Sequence, residues 1–199
     1  FLVLLRNYEL VLFLAYATIL QITLGFFYSF FGIYLKDMGG DNGLLGWAMF
    51  LSAIFEVPFL LFANRIIDRI GTKNALVISG VVMTLRWTLL YYITNPLWVL
   101  PVQMLHGLSF IVVFYSMATY INQKVPMELK ASGQALFGFL SMGIARIIST
   151  LLGGYLSELF GLRQIFLYSA CLIVVSTFLF LLLFHPVVKD RLTSHQISV

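Results

Sequence analysis

Charge is scarce in this sequence. Charged residues make up 10% of its 199 positions and hydrophobic ones 61%, where a soluble domain carries about a quarter charged. That imbalance excludes a soluble globular protein and predicts an integral membrane one. Cysteine is nearly absent: the one residue, Cys171, lies in an apolar run, which excludes disulfides and thiolate metal clusters. No His-Glu-x-x-His, no nucleophile with a neighbouring base motif and no metal-ligand cluster is present, so we expect no enzyme, metal or cofactor. Basic residues sit on short loops, which argues against nucleic acid as a partner.

What is present is long apolar runs. A helix needs about 20 mostly apolar residues to span a bilayer, and the chain holds six such segments: 8–35, 44–67, 74–93, 97–121, 128–159 and 164–184. We expect residues 1–187 to be the membrane domain and 188–199 a frayed cytoplasmic tail. The opening on Phe1 rather than Met suggests a piece of something longer. Arg6, Arg65, Arg69, Lys73, Lys124, Lys130, Lys189 and Arg191 fall on one side, and only Lys36 and Arg163 on the other. By the positive-inside rule, both termini of this multi-pass cell-membrane protein should face the cytoplasm.

A repeat is visible at two helix ends. Asp68-Arg69-Ile70-Gly71 and Glu158-Leu159-Phe160-Gly161 share an acidic residue three positions before glycine. Three helices separate the copies, so they face opposite sides, as an inverted 3+3 repeat requires.

Four ionisable residues interrupt the apolar runs: Glu56, Arg86, His106 and Arg146. Charges inside membrane helices are costly and tend to face cavities or partners, so these four are the expected proton and substrate pathway. Arg86 keeps its proton and can serve only as an anion partner or fixed field source. Counting 1.5 Å per residue from the helix ends predicts two levels, Arg86 with His106 and Glu56 with Arg146. Pro58 should kink the second helix beside Glu56, because it cannot donate to the carbonyl of Ile54. Polar residues at helical spacing form stripes: Thr18, Gln21, Gly25, Tyr28 and Gly32 on the first helix; Gln103, His106, Ser109, Val113 and Ser116 on the fourth; Ser132, Met142, Arg146, Ser149 and Gly153 on the fifth. Gln21, Tyr28, Gln103 and Ser109 are candidates to line a solute path, the alternative being helix–helix glue. Trp47 and Trp87 could stack on a sugar ring, and Trp98 reads as an interfacial anchor.

The loop Asp68-Arg69-Ile70-Gly71-Thr72-Lys73 resembles the cytoplasmic signature of the major facilitator superfamily, Gly-x-x-x-Asp-Arg-x-Gly-Arg-Lys. Asn64 and Thr72 depart from that pattern. Glu56-Val57-Pro58, Leu85-Arg86-Trp87 and Gln103-Met104-Leu105-His106-Gly107 are similar to the lactose-permease branch, whose relatives carry sugars or phenylpropionate. The resemblance implies the C-terminal half of a twelve-helix transporter, in which Asp68, Arg69, Gly71 and Lys73 form a conformational motif. It also places Arg86 and His106 at the arginine of the ninth helix and the histidine of the tenth. Ser109, Ala53 and Met142 stand where that branch keeps a coupling carboxylate, a sugar-binding carboxylate and a lysine, so Glu56 is expected to take over the titrating role.

The expected function is proton-coupled symport of a small polar solute, a sugar or nucleoside, by alternating access. Expected partners are the solute, protons, the lipid bilayer and the missing N-terminal six-helix half. The alternatives are proton-antiport efflux of drugs or sugars, and a six-helix protein working as a homodimer.

Overall fold

A computed structural model describes the backbone of residues 4 and 6–197 and the side chains of residues 4 and 6–184. Six helices are long and apolar enough to cross a membrane: α1 (Tyr8–Asp37), α2 (Asn42–Ile70), α3 (Thr72–Tyr92), α4 (Pro96–Lys124), α5 (Met127–Phe160) and α6 (Leu162–Ile197). The backbone of α6 runs on past Phe184, where the hydropathy pattern predicted an end. The side chains of the expected tail, 188–199, lie outside the described residues.

Short polar residues set the helix starts. The side-chain oxygens of Asn7, Asp41 and Asn95 accept from the backbone N–H groups of Leu10, Leu44 and Leu97, satisfying donors that have no partner within a first helical turn. Two glycines set ends. Gly71 and Gly161 close α2 and α5 at φ 78°, ψ 153° and φ 86°, ψ 156°, a region essentially closed to residues with a Cβ. Each N–H returns to the carbonyl four residues back, at 2.8 and 2.9 Å. Gly71→Ala should cost about 2 kcal/mol on this ground, read as a lower melting temperature, whereas the helical Gly154→Ala, where a Cβ would meet open space, should not.

The matched caps belong to a wider symmetry. α2 packs on α4 as α5 packs on α1; α3 packs on α4 as α6 packs on α1; α3 and α6 pack on each other. Exchanging the first three helices with the last three leaves this pairing unchanged, which is the 3+3 repeat. A shift of 90 positions carries Gly71 onto Gly161, and its neighbours follow. A Cβ on Gly107 of α4 would collide with the Phe55 carbonyl and the Phe59 ring of α2. One on Gly25 of α1 would meet the Ala145 carbonyl at 3.5 Å and collide with the Ser149 side chain of α5. Phe55 and Phe59 shift onto Ala145 and Ser149, so the two close crossings are repeat mates. Glu56 and Arg146 are mates as well, each fifteen positions ahead of its capping glycine.

α1 is the most enclosed helix and α2 and α5 the least. Phe13, Phe27, Phe31, Tyr34, Trp87, Phe166 and Phe180 are buried around α1, with Phe13 stacked on Tyr120 and Tyr16 on Phe180. Trp87 is fully buried and its indole N–H donates to Thr23 Oγ1 at 3.2 Å. It is therefore a core residue, unable to stack on a solute. Trp47 and Trp98 are exposed, at 61% and 65%.

Candidate functional site

Two breaks in helical regularity place the ionisable residues. In α4 a 3-10 turn at Pro96–Trp98 leads into a short helix, Val99–Gln103. At Met104 and Leu105 the bonding switches to i→i−3, onto Pro101 and Val102, and the helix restarts at His106. In α5 a π-helical turn occupies Phe139–Ile144, two residues ahead of Arg146. Such turns insert into α-helices mostly at functional sites. A four-residue repeat on a regular helix drifts around its surface; the wider turn absorbs part of that drift. Gly133 and Phe137 before it, Ser141 within it, and Ala145, Ser149 and Gly153 after it are accordingly all buried. Met142 is thrown outward, 57% exposed, and leaves the stripe that the sequence pattern assigned it to. Pro58 lies inside a continuous α2.

His106 is the hub. Its Nε2 sits 3.1 Å from Glu56 Oε1 and 2.9 Å from the Tyr28 hydroxyl, and its ring stacks on Phe110. The imidazole is buried, while Glu56 is 28% and Tyr28 39% exposed. The carboxylate and phenol thus open onto the surface, with the imidazole behind them. Arg146, half-buried, holds its guanidinium 4.5 Å from the centroid of the Tyr28 ring, within cation–π range. The expected pairing is thereby corrected: Glu56 meets His106, and Arg146 lies over Tyr28.

Arg86 heads a second, fully buried layer. Nη1 donates to Ser109 Oγ at 3.1 Å and Nη2 to Gln103 Oε1 at 3.0 Å. Ser52 Oγ of α2 also donates to Gln103 Oε1, at 3.1 Å. Phe27 and Trp87 present ring faces at 5.0 and 4.9 Å. Among the described residues no carboxylate pairs with Arg86. Arg86 Nε, Gln103 Nε2, His106 Nδ1 and Gln21 Nε2 are buried without a hydrogen-bond partner. Of the four residues read as solute-lining, Tyr28 is at the open face and Gln21, Gln103 and Ser109 are enclosed.

The loop motif lies at the α2–α3 junction, with Asp68, Arg69 and Gly71 exposed and Lys73 Nζ 4.2 Å from the Phe184 ring centroid. Asn64, which replaces the glycine of the motif, accepts a hydrogen bond from the Tyr115 hydroxyl, tying α2 to α4. The sequence reading passed over this contact. It also passed over the α4 break, for which Pro101 was the available signal.

Six membrane-length helices in two inverted triplets, with ionisable groups gathered at a half-open face, define one half of a secondary transporter. The chain belongs to the MFS_1 like family, which matches residues 1–168, and it is a major facilitator transporter half rather than an enzyme. It is 28% identical to the maltose permease of Geobacillus stearothermophilus over 78% of this chain and 39% of that protein. It is 29% identical to the multi-drug resistance efflux pump PmrA of Streptococcus pneumoniae over 81% of this chain and 42% of the pump. A crystal structure of the nucleoside transporter NupG (D323A mutant) superposes with a TM-score of 0.79 at 23% identity, covering 92% of this chain and 50% of the other. The chain spans about two fifths of the length of the curated relatives it matches.

Proposed function

We propose that the chain is the C-terminal six-helix half of a proton-coupled symporter that carries a small polar solute, a sugar or a nucleoside, by alternating access. The observation that carries this reading is the meeting of Glu56 and Tyr28 on one nitrogen of His106 at the edge of the open face. Nε2 can donate to an ionised Glu56, or accept from a protonated one if the ring proton moves to Nδ1. Nδ1 has no partner among the described residues in either case, so neither tautomer is locked there by a second hydrogen bond. Protonation at this pair then shifts the balance between inward- and outward-open states. A maltose permease among the relatives supports a sugar-sized solute.

Residues 1–187 form the membrane unit in this reading and 188–199 a cytoplasmic tail. The excess of Lys and Arg on one side sets both termini toward the cytoplasm of a cell membrane. The exposed faces of α2 (Trp47, Phe50, Ile54, Val57, Leu61) and α5 (Phe139, Leu151, Tyr155) are apolar and flank Glu56, Tyr28 and Arg146. The N-terminal half, or a second copy of this one, packs against them and encloses the solute.

The likeness to a multidrug efflux pump supports a second reading, export by proton antiport on the same fold. Vesicles holding the full-length transporter, oriented with its cytoplasmic face inward and given an acid outside, separate the two. Symport accumulates labelled maltose or uridine inside; antiport accumulates neither, and the same acid outside instead drives export of a preloaded dye such as ethidium.

A further inference from the structure

A surface groove lies on the opposite side of α3 from the buried Arg86. It runs between α3 and α6, encloses about 530 Å³, and is lined by Val81, Leu85 and Thr88 on one wall and Val174, Phe178 and Leu181 on the other. Its hydroxyls do not make it polar. Thr84 Oγ1 donates to the Gly80 carbonyl at 3.0 Å, and Thr177 Oγ1 shares a 2.7 Å hydrogen bond with the Tyr16 hydroxyl. What Thr84 and Thr177 offer the groove is therefore their methyl groups.

The surroundings identify the occupant. Every exposed side chain from Ile78 to Leu89 on α3 and from Cys171 to Leu183 on α6 is apolar, as a lipid-facing wall requires. The face carrying Glu56, Tyr28 and Arg146 is built from α1, α2 and α5, so α3 and α6 are free of the surface that meets the other half. The groove has a charged mouth. Lys73 lies on the same stripe of α3 as Val77 and Val81, and Phe184 continues the stripe of Leu181 on α6. Lys73 Nζ closes over the Phe184 ring and is paired with no carboxylate among the described residues. Arg65 and Arg69 stand at the same end of the bundle. From Lys73 to Thr88 the helix rises about 22 Å, enough for an acyl chain that enters at headgroup level and reaches just past the bilayer centre, about 15 Å in.

We propose that this groove is a binding site for an anionic phospholipid, with one acyl chain between α3 and α6 and the headgroup phosphate at Lys73. A zwitterionic lipid would gain the same apolar contacts without the net attraction, which for one cation near the surface amounts to roughly 1 kcal/mol, about fivefold in affinity.

The test is native mass spectrometry of the full-length transporter in detergent with added dioleoyl phosphatidylglycerol or dioleoyl phosphatidylcholine. Phosphatidylglycerol should be retained about fivefold better, and Lys73→Gln should erase that preference while leaving phosphatidylcholine binding unchanged. Leu85→Trp, and Val174→Trp from the opposite wall, should reduce retention of both lipids. Lys73→Gln alters only a partly exposed side chain, so it reads the headgroup contact independently of groove packing. Equal retention of the two lipids, a preference that survives Lys73→Gln, or a copy number that doubles when lipid is stripped would overturn the proposal, the last because a second copy would then own the groove.

Discussion

Arg86→Met should abolish coupled uptake without lowering the melting temperature. Arg86 is fully buried, and its guanidinium is offset by two neutral oxygens and two aromatic faces rather than by a carboxylate. Withdrawing such a charge from water is expensive, and its Nε remains without a partner. Removing it strands neither acceptor. Gln103 Oε1 keeps the hydroxyl of Ser52, and Ser109 Oγ still donates to the carbonyls of Leu105 or His106. Buried charged groups replaced by apolar ones of similar size often leave a protein equally or more stable, by about 1–4 kcal/mol. In the proposed symporter Arg86 acts through its field at the site rather than as a structural clamp. A thermal melt of the purified variant beside an uptake assay checks both halves. A large fall in melting temperature would mean that Arg86 is a structural clamp between α3 and α4.

Gly107→Ala should be the most damaging single methyl in the bundle. The new Cβ meets the carbonyl of Phe55, a backbone atom that cannot rotate away, so α4 must withdraw from α2. That cost is about 3 kcal/mol, at the upper end for overpacking. The displacement falls on the residue next to His106 and opposite the one next to Glu56, so the 3.1 Å contact between them opens as well. Gly25→Ala, the repeat mate, should cost somewhat less: the serine hydroxyl can turn aside and the Ala145 carbonyl stands off at 3.5 Å, which leaves the Ser149 Cβ at 2.6 Å as the one fixed obstacle. Ranking the two variants by thermal melt checks the asymmetry; equal losses would contradict it.

The spans, the polar stripes and the matched glycine ends were legible in the sequence because hydropathy, helical period and turn chemistry are local properties. The repeat could be seen at its caps but not at its crossings, since Gly25 and Gly107 acquire meaning only once their partners on α5 and α2 are in place. The pairing of charges was misread for a physical reason. Counting at 1.5 Å per residue assumes an unbroken α-helix, whereas α4 opens with a 3-10 turn and tightens again at Met104–Leu105. Such turns rise about 2 Å per residue and carry His106 further along the axis, toward the level of Glu56. The count also ignored rotation, which turns Arg146 toward the Tyr28 ring. The π turn at Phe139–Ile144 leaves no proline or charge to announce it. Trp87 read as a solute platform because its spacing does not tell which side of α3 is enclosed by Phe27 and Phe166.

In the proposed symporter, protons enter the transport cycle at the Glu56–His106 pair. Solute-driven alkalinisation of the medium around vesicles holding the full-length transporter tests it most directly, comparing wild type with Glu56→Gln and His106→Gln. Glutamine keeps the size of the carboxyl side chain and a hydrogen-bonding oxygen but cannot ionise. Each variant should lose solute-driven proton movement, while Glu56→Gln still exchanges labelled for unlabelled solute across the membrane. Undiminished alkalinisation in both variants would contradict it.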